Sequence, residues 1–215
     1  MAEVPQLTET PEEIAYELRA AEASLWTGAR LLVGVVIFAF ASLAFAYFYL
    51  RSLNSADLWR PHGITAPTAI GAAVMAFTLA AAVLAQLGIR RLRAGTDLDW
   101  QVAGWTTVLS ALIAIGLQFW ELTQLPFYPG SSGYASCFIA WAILNAVLVF
   151  GGVYWTETLL ARTIRLRRAI SEEGGTADSP LPAARLFRAN AEGAAFFWGF
   201  IAVVSLFFWV LFYVI

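Results

Sequence analysis

The sequence predicts an all-α integral membrane protein, a bundle of five transmembrane helices. Three observations predict it. Of the 215 residues 60% are hydrophobic and only 13% are charged, against about 25% charged in soluble domains. Five stretches, at about 31–50, 66–89, 100–120, 134–156 and 193–215, carry no Asp, Glu, Lys or Arg, and each has roughly the 20 residues with which a helix crosses a hydrocarbon core. The segments between them are rich in Pro, Gly and Arg, residues that end helices or stay in water. The chain therefore divides into an N-terminal segment, residues 1–30, and a five-helix transmembrane domain, residues 31–215.

Taken in order, residues 1–10 are polar, and a helix start follows. Thr10 can cap, Pro11 suits the first helical position, and Glu13 completes a Thr-x-x-Glu capping box. The segment EEIAYELRAAEASLW sets Ile14, Leu18 and Leu25 among acids, so it is expected to lie with one side on the membrane surface or on a partner. Its acidic start and the lack of a small-residue cleavage site argue against a cleavable signal peptide. Arg30 and Arg51 bracket the first span. A polar loop with Trp59, Arg60, Pro61, His62 and Gly63 leads to the second, where Ala69, Ala73, Ala76 and Ala80 make a face suited to close helix approach. Arg90, Arg91 and Arg93 stop that span, and Gly95 and Asp97 turn the chain into the third. Pro126, Pro129, Gly130 and Gly133 make the hairpin to the fourth, whose helix continues past the membrane with Arg162, Arg165, Arg167 and Arg168. A loop at 171–183, holding Gly174, Gly175, Pro180 and Pro182, precedes the fifth. No repeat of 20–50 residues and no inverted repeat is visible.

Five spans place the two ends of the domain on opposite sides. With the N-terminus in the cytoplasm, Arg90, Arg91, Arg93, the cluster 162–168, Arg185 and Arg188 lie inside, and only Arg51 and Arg60 fall clearly outside. The positive-inside rule thus predicts a cytoplasmic N-terminus and a C-terminus on the outer face. All 13 basic residues are Arg, and the formal net charge is −2; nothing points to nucleic acid.

The chemistry of the side chains is sparse. There is one Cys, Cys137, read as a small buried residue, and one His, His62. No pair of His can clamp a haem, and no His, Cys and carboxylate cluster can hold zinc or copper, so no catalytic, cofactor-binding or metal-binding residue is expected in this chain. No ionisable group sits in the central turns of any span, as a transporter or pump would need. Glu121 and Glu157, at opposite span ends, are expected to reach interfacial water; the sharper role for Glu121 is to face a partner Arg or act as a proton antenna on the outer face. Gln118 lies one turn from Glu121 on the same helix face. Asn145, central in the fourth span, is expected to hydrogen-bond across to another helix, and Gln86 to snorkel to the inner interface. Trp26, Trp59, Trp100, Trp120 and Trp155 fit an interfacial belt, whereas Trp141, Trp198 and Trp209 lie deeper as packing or lipid contacts. Gln118, Glu121, Asn145, Trp198, Trp141 and Arg51 are the candidate structural or partner-contact residues.

Several short matches then run in order along the chain. They are Ala46-Tyr47-Phe48 with Leu50-Arg51-Ser52; Trp59, Pro61 and Gly63; Arg93, Gly95 and Asp97; Gln118-x-x-Glu121; Tyr134, Phe138, Val149 and Gly152; and Phe197-Trp198-x-Phe200 with Val204 and Tyr213. By these the chain resembles subunit III of haem–copper terminal oxidases in its short, five-helix bacterial form. It departs from the family at Leu122, where the family carries an aromatic residue, and at Val36, where it carries a membrane-embedded Glu. It departs again at Asn145 and Leu148, which replace two His, and at Gly199 and Ala202 within the last-helix motif. The resemblance implies an accessory subunit of a bacterial inner-membrane cytochrome c oxidase, with haem and copper in subunits I and II as its partners. It also implies bound membrane phospholipid and admits a larger respiratory supercomplex. The departures remove most of the family's buried polar chemistry and leave the roles that need only shape. A quinol oxidase or nitric oxide reductase subunit is the nearer alternative, and a small transporter unrelated to respiration the farther one.

Overall fold

The computed structural model describes residues 10–54, 59–61, 64–172 and 182–215. The readings that concern residues 1–9, 55–58, His62, Gly63 and 173–181, with Gly174, Gly175 and Pro180, lie outside them. Five helices follow in order, α1 (Pro11–Ser52), α2 (Thr68–Arg93), α3 (Asp97–Thr123), α4 (Gly133–Glu172) and α5 (Pro182–Tyr213), and each contains a window long and apolar enough to cross a membrane. The chain is thus an all-α, multi-pass membrane protein. α2 packs on α3 and α5, α3 on α4, α4 on α5, and α1 joins through α5 and α4. The two loop segments expected at 171–172 and 182–183 are helical, so α4 and α5 run longer than their spans.

α1 begins as its sequence directs. The Glu13 amide donates to Thr10 Oγ1 (3.4 Å), and the Thr10 amide donates to Glu13 Oε2 (2.7 Å). The Thr10 hydroxyl also donates to Oε2 (2.9 Å), and these two bonds from Thr10, amide and hydroxyl, hold the Glu13 carboxyl below the usual carboxylate range. The segment after it, expected to lie on the membrane surface or on a partner, runs into the first span without a break. α1 is one helix of 42 residues, about 63 Å long at 1.5 Å per residue, twice the thickness of a hydrocarbon core. No Pro interrupts it after its first position, and Gly28 and Gly34 each cost only about 1 kcal/mol of helix propensity. The projecting part stands against α5: Arg185 meets Glu22 at 2.9 Å, and the rings of Trp26 and Phe196 lie 6.2 Å apart. With the extensions of α4 and α5 it forms a three-helix stem at the arginine-rich end of the bundle.

The buried stripe of α1 is narrow, Ala29, Val33, Phe40 and Tyr47, close to a heptad seam. The buried face of α2 differs from the one expected. Gly71, Val74, Met75, Thr78, Ala81, Ala82, Ala85, Gly88, Ile89 and Leu92 are buried, whereas Ala69 and Ala76 are exposed and Ala73 and Ala80 half-buried. Alanine occurs on every face of α2, so small residues alone do not set its rotation. Between α2 and α3 the chain turns at Gly95, whose φ of +76° is a conformation that residues with a Cβ rarely adopt.

The tryptophans divide differently too. Trp120 is exposed at a span end and Trp26 and Trp155 are half-buried, but Trp59 and Trp100 are core residues. The Trp100 indole is drawn inward by a bond to Thr163 Oγ1 (3.0 Å). Gln86 does not snorkel; its amide donates to the Ala195 carbonyl on α5 (2.6 Å), which satisfies both groups where water is scarce.

Candidate functional site

The most polar part of the apolar half of the bundle is a continuous string of hydrogen bonds. On α3, residues three apart share a face, and the Gln118 amide donates to Glu121 Oε2 (2.7 Å). Tyr213 of α5 donates its hydroxyl to the other carboxylate oxygen. On the far side, the Asn145 amide of α4 donates to Gln118 Oε1 (3.2 Å), and Ser205 of α5 donates to Asn145 Oδ1 (2.6 Å). The string therefore starts and ends on α5, at positions about 12 Å apart along that helix, and passes through α3 and α4 between them.

Glu121 is 0% exposed, Gln118 1% and Asn145 2%. Glu121 therefore does not reach interfacial water; among the described residues no Arg comes within ion-pair distance of it either, and its oxygens are met by Tyr213 and Gln118. Glu157, by contrast, is exposed. α2 contributes by what it lacks: a methyl at Gly71 would overlap the Tyr213 ring, so the glycine lets that ring lie over α3. Phe138 and Trp209 flank the same ring, at centroid distances of 5.7 and 5.9 Å.

Next to the string, the end of α5 is capped from outside. The hydroxyl of Tyr47 (α1) donates to the Leu211 carbonyl at 2.8 Å, and that of Tyr134 (α4) to the Phe212 carbonyl at 3.0 Å. Carbonyls in the last turn of a helix have no donor in their own helix, so the two tyrosines complete α5 and fix it to α1 and α4. Arg51 donates to the Tyr47 hydroxyl (3.2 Å), and the Arg60 guanidinium lies 4.7 Å from the centre of the Tyr134 ring.

The candidates named from sequence thus fall into two groups. Gln118, Glu121 and Asn145 belong to one string, Trp141 lies one turn from Asn145 with its ring 6.2 Å from that of Tyr213, and Arg51 supports the neighbouring tyrosine. Trp198 is elsewhere, buried towards the arginine-rich end, where its indole donates to Thr156 Oγ1 (3.0 Å). Sequence reasoning missed Ser205, Gly71 and the bond made by Tyr213. A serine inside an otherwise apolar span, two turns from a tyrosine on the same helix, was the available signal.

Chemically the string joins helices. Its two amides hold fixed donors and acceptors, and among the described residues no group of three or more His, Cys, Asp or Glu side chains is placed to hold a metal ion. No protein-family model matches the chain, and no curated protein matches it.

Proposed function

We propose that this chain is an accessory subunit of a respiratory haem–copper terminal oxidase in a bacterial plasma membrane, with its N-terminus in the cytoplasm. In this reading haem and copper belong to subunits I and II. The chain stabilises the catalytic subunit and orders lipid around it, with no catalytic residue of its own. The observation that carries the reading is Gln118-x-x-Glu121. It is the motif by which the sequence most resembles subunit III, and it lies at the centre of the string that binds α3, α4 and α5 together. Positions at which the family keeps further buried polar groups are apolar here, including Val36 and Leu148, and the string is one of the polar contacts that still fix the frame.

A groove between α1, α2 and α5 supports the lipid part of the reading. It encloses about 660 Å³ and runs from Trp26, Arg90 and Arg93 at the arginine-rich end to Ile37 and Val203. From Trp26 to Ile37 is about 16 Å along α1, a length suited to an acyl chain. Arg93 is paired with Glu192 at 2.9 Å, which leaves Arg90 as the cation for a phosphate at the mouth.

The test is to purify the tagged chain from its own membranes in mild detergent and record a reduced-minus-oxidised spectrum of the eluate. Haem bands with large co-purifying membrane subunits are expected. The haem type and any bound cytochrome c then separate a cytochrome c oxidase from a quinol oxidase or a nitric oxide reductase. A colourless eluate from membranes whose oxidase stays intact overturns the proposal and favours a transporter.

A further inference from the structure

The groove between α1, α2 and α5 has a polar mouth with charges of both signs. The spans themselves fix its level. Arg90 directly follows the uncharged stretch 66–89, Glu192 directly precedes 193–215, and Arg30 precedes 31–50, so all three stand where the hydrocarbon ends. Below the mouth, past Gln86, the lining is apolar, with Val33, Ile37 and Phe200, down to Val203 at the middle of the last stretch. From Glu192 to Val203 is about 16 Å along α5, against about 15 Å for one half of a hydrocarbon core. The groove therefore crosses one leaflet, from the headgroup layer to the midplane. Gly199 keeps it open: a Cβ there would meet only the Gln86 amide nitrogen, at 3.5 Å.

Each sign has a group to spare. The Arg90 side chain is exposed and has no hydrogen-bond or ion-pair partner among the described residues. Glu192 is half-buried, and both of its contacts with Arg93, from Nε and Nη2 at 2.9 Å each, fall on one oxygen, Oε1. Its Oε2 has no partner among the described residues. The two spare groups are close. Arg90 and Arg93 stand three apart on α2 and so are neighbours, and Arg93 touches Glu192. A ligand matched to this mouth carries an anion and, next to it, a cation with N–H to donate. A phosphate joined through two carbons to a primary ammonium has both, because such an ammonium holds three donors. A phosphoglycerol head is anionic only and leaves Glu192 unmatched. A phosphocholine head has a cation without a donor. The ring whose face would hold that cation instead, Trp26, already carries the Arg30 guanidinium at 5.5 Å.

We propose that this groove selects a phospholipid with a phosphoethanolamine head, an assignment that rests on the lipid-ordering part of the function proposed above and not on the oxidase. The phosphate lies on Arg90, the ammonium on Glu192 Oε2, and one acyl chain runs past Val33, Gly199 and Phe200 to Val203. The Arg93–Glu192 pair is the selector. It holds a carboxylate at the mouth and keeps Arg93 from drawing in a second anionic group.

The test is native mass spectrometry of the full chain, purified in detergent and titrated with phosphatidylethanolamine, phosphatidylcholine and phosphatidylglycerol of identical acyl chains. Phosphatidylethanolamine is expected to bind most tightly, about threefold better than phosphatidylcholine, the scale of one exposed ion pair. E192Q removes that preference and, with Arg93 released, raises phosphatidylglycerol above the other two. R90Q weakens all three. G199L fills the groove without touching its charges and also weakens all three, whereas R162Q, outside the groove, leaves the order unchanged. No preference for phosphatidylethanolamine over phosphatidylcholine, or a preference that E192Q leaves intact, overturns the headgroup assignment; if G199L still weakens binding, the groove holds lipid and the reading beneath the assignment stands. Binding indifferent to both G199L and R90Q removes lipid from the groove and overturns that reading as well. Tighter binding of phosphatidylglycerol to the unaltered chain overturns the assignment in favour of an anionic lipid.

Discussion

Tyr213→Phe isolates one bond of the buried string. The change removes a hydroxyl and leaves the ring over Gly71 and between Phe138 and Trp209, so the loss reports the bond to Glu121 rather than packing. Hydrogen bonds between neutral groups in membrane helices average about 0.6 kcal/mol and reach about 1.7. Glu121 is fully buried and has one other donor, Gln118, at 2.7 Å, so the expected cost lies near the top of that range, about 1.5 kcal/mol, roughly a tenfold shift in the folded-to-unfolded ratio. The assay is equilibrium unfolding in mixed micelles, run as a double-mutant cycle with Glu121→Leu. A coupling of about 1 kcal/mol is expected. A Tyr213→Phe cost below about 0.5 kcal/mol, with no coupling, would refute the reasoning, because Glu121 would then have to be stabilised by something other than this pair.

Three further outcomes are expected. Gly71→Ala forces a methyl against the Tyr213 ring and should destabilise by about 1–3 kcal/mol; in a Tyr213→Ala background the cost should largely vanish in the same unfolding assay. Spin labels at positions 14 and 45 of α1 should lie about 46 Å apart by pulsed dipolar spectroscopy if that helix is continuous; a much shorter distance would mean that the segment folds down at Gly28. The Glu13 carboxyl, whose folded-state pKa lies below its unfolded value, lends the capping box stability that is present above the ordinary carboxylate range and lost as pH falls through the folded pKa. Its resonance should titrate below that range by NMR, and Thr10→Val should move the midpoint up.

The number of spans, their order and the polar residues worth watching were legible in the sequence, because an uncharged stretch of the right length has few alternatives to a membrane helix. Gln118 with Glu121 followed from helical spacing, and an interhelical role for Asn145 from the cost of a lone amide among apolar residues. The burial of Glu121 was not legible. Its place near a span end suggests water, and the group that covers it comes from Tyr213, 92 residues away. The rotation of α2 was hidden by alanine on all its faces. The continuity of α1 was hidden because acids beside an apolar run read as an interface. Trp59 and Trp100 show the same limit: a position near a span end does not say whether an indole turns to lipid or to Thr163.

The return of the string to α5 bears on how the bundle is assembled during synthesis. α3 and α4 leave the ribosome first, and when both have entered the membrane Asn145 can already meet Gln118, but Glu121 has only Gln118 as a donor. The missing partners arrive with α5. Ser205 follows Asn145 by 60 residues, which at about 5–20 residues per second is an interval of roughly 3–12 s. During that time the carboxylate, the free acceptor of Asn145 and the tyrosines of α1 and α4 that later cap α5 are open to water at the insertion site, to lipid headgroups or to a chaperone. Folding of the first four helices is therefore provisional until the fifth enters, and a ribosome paused before α5 would hold the chain in its most degradable form.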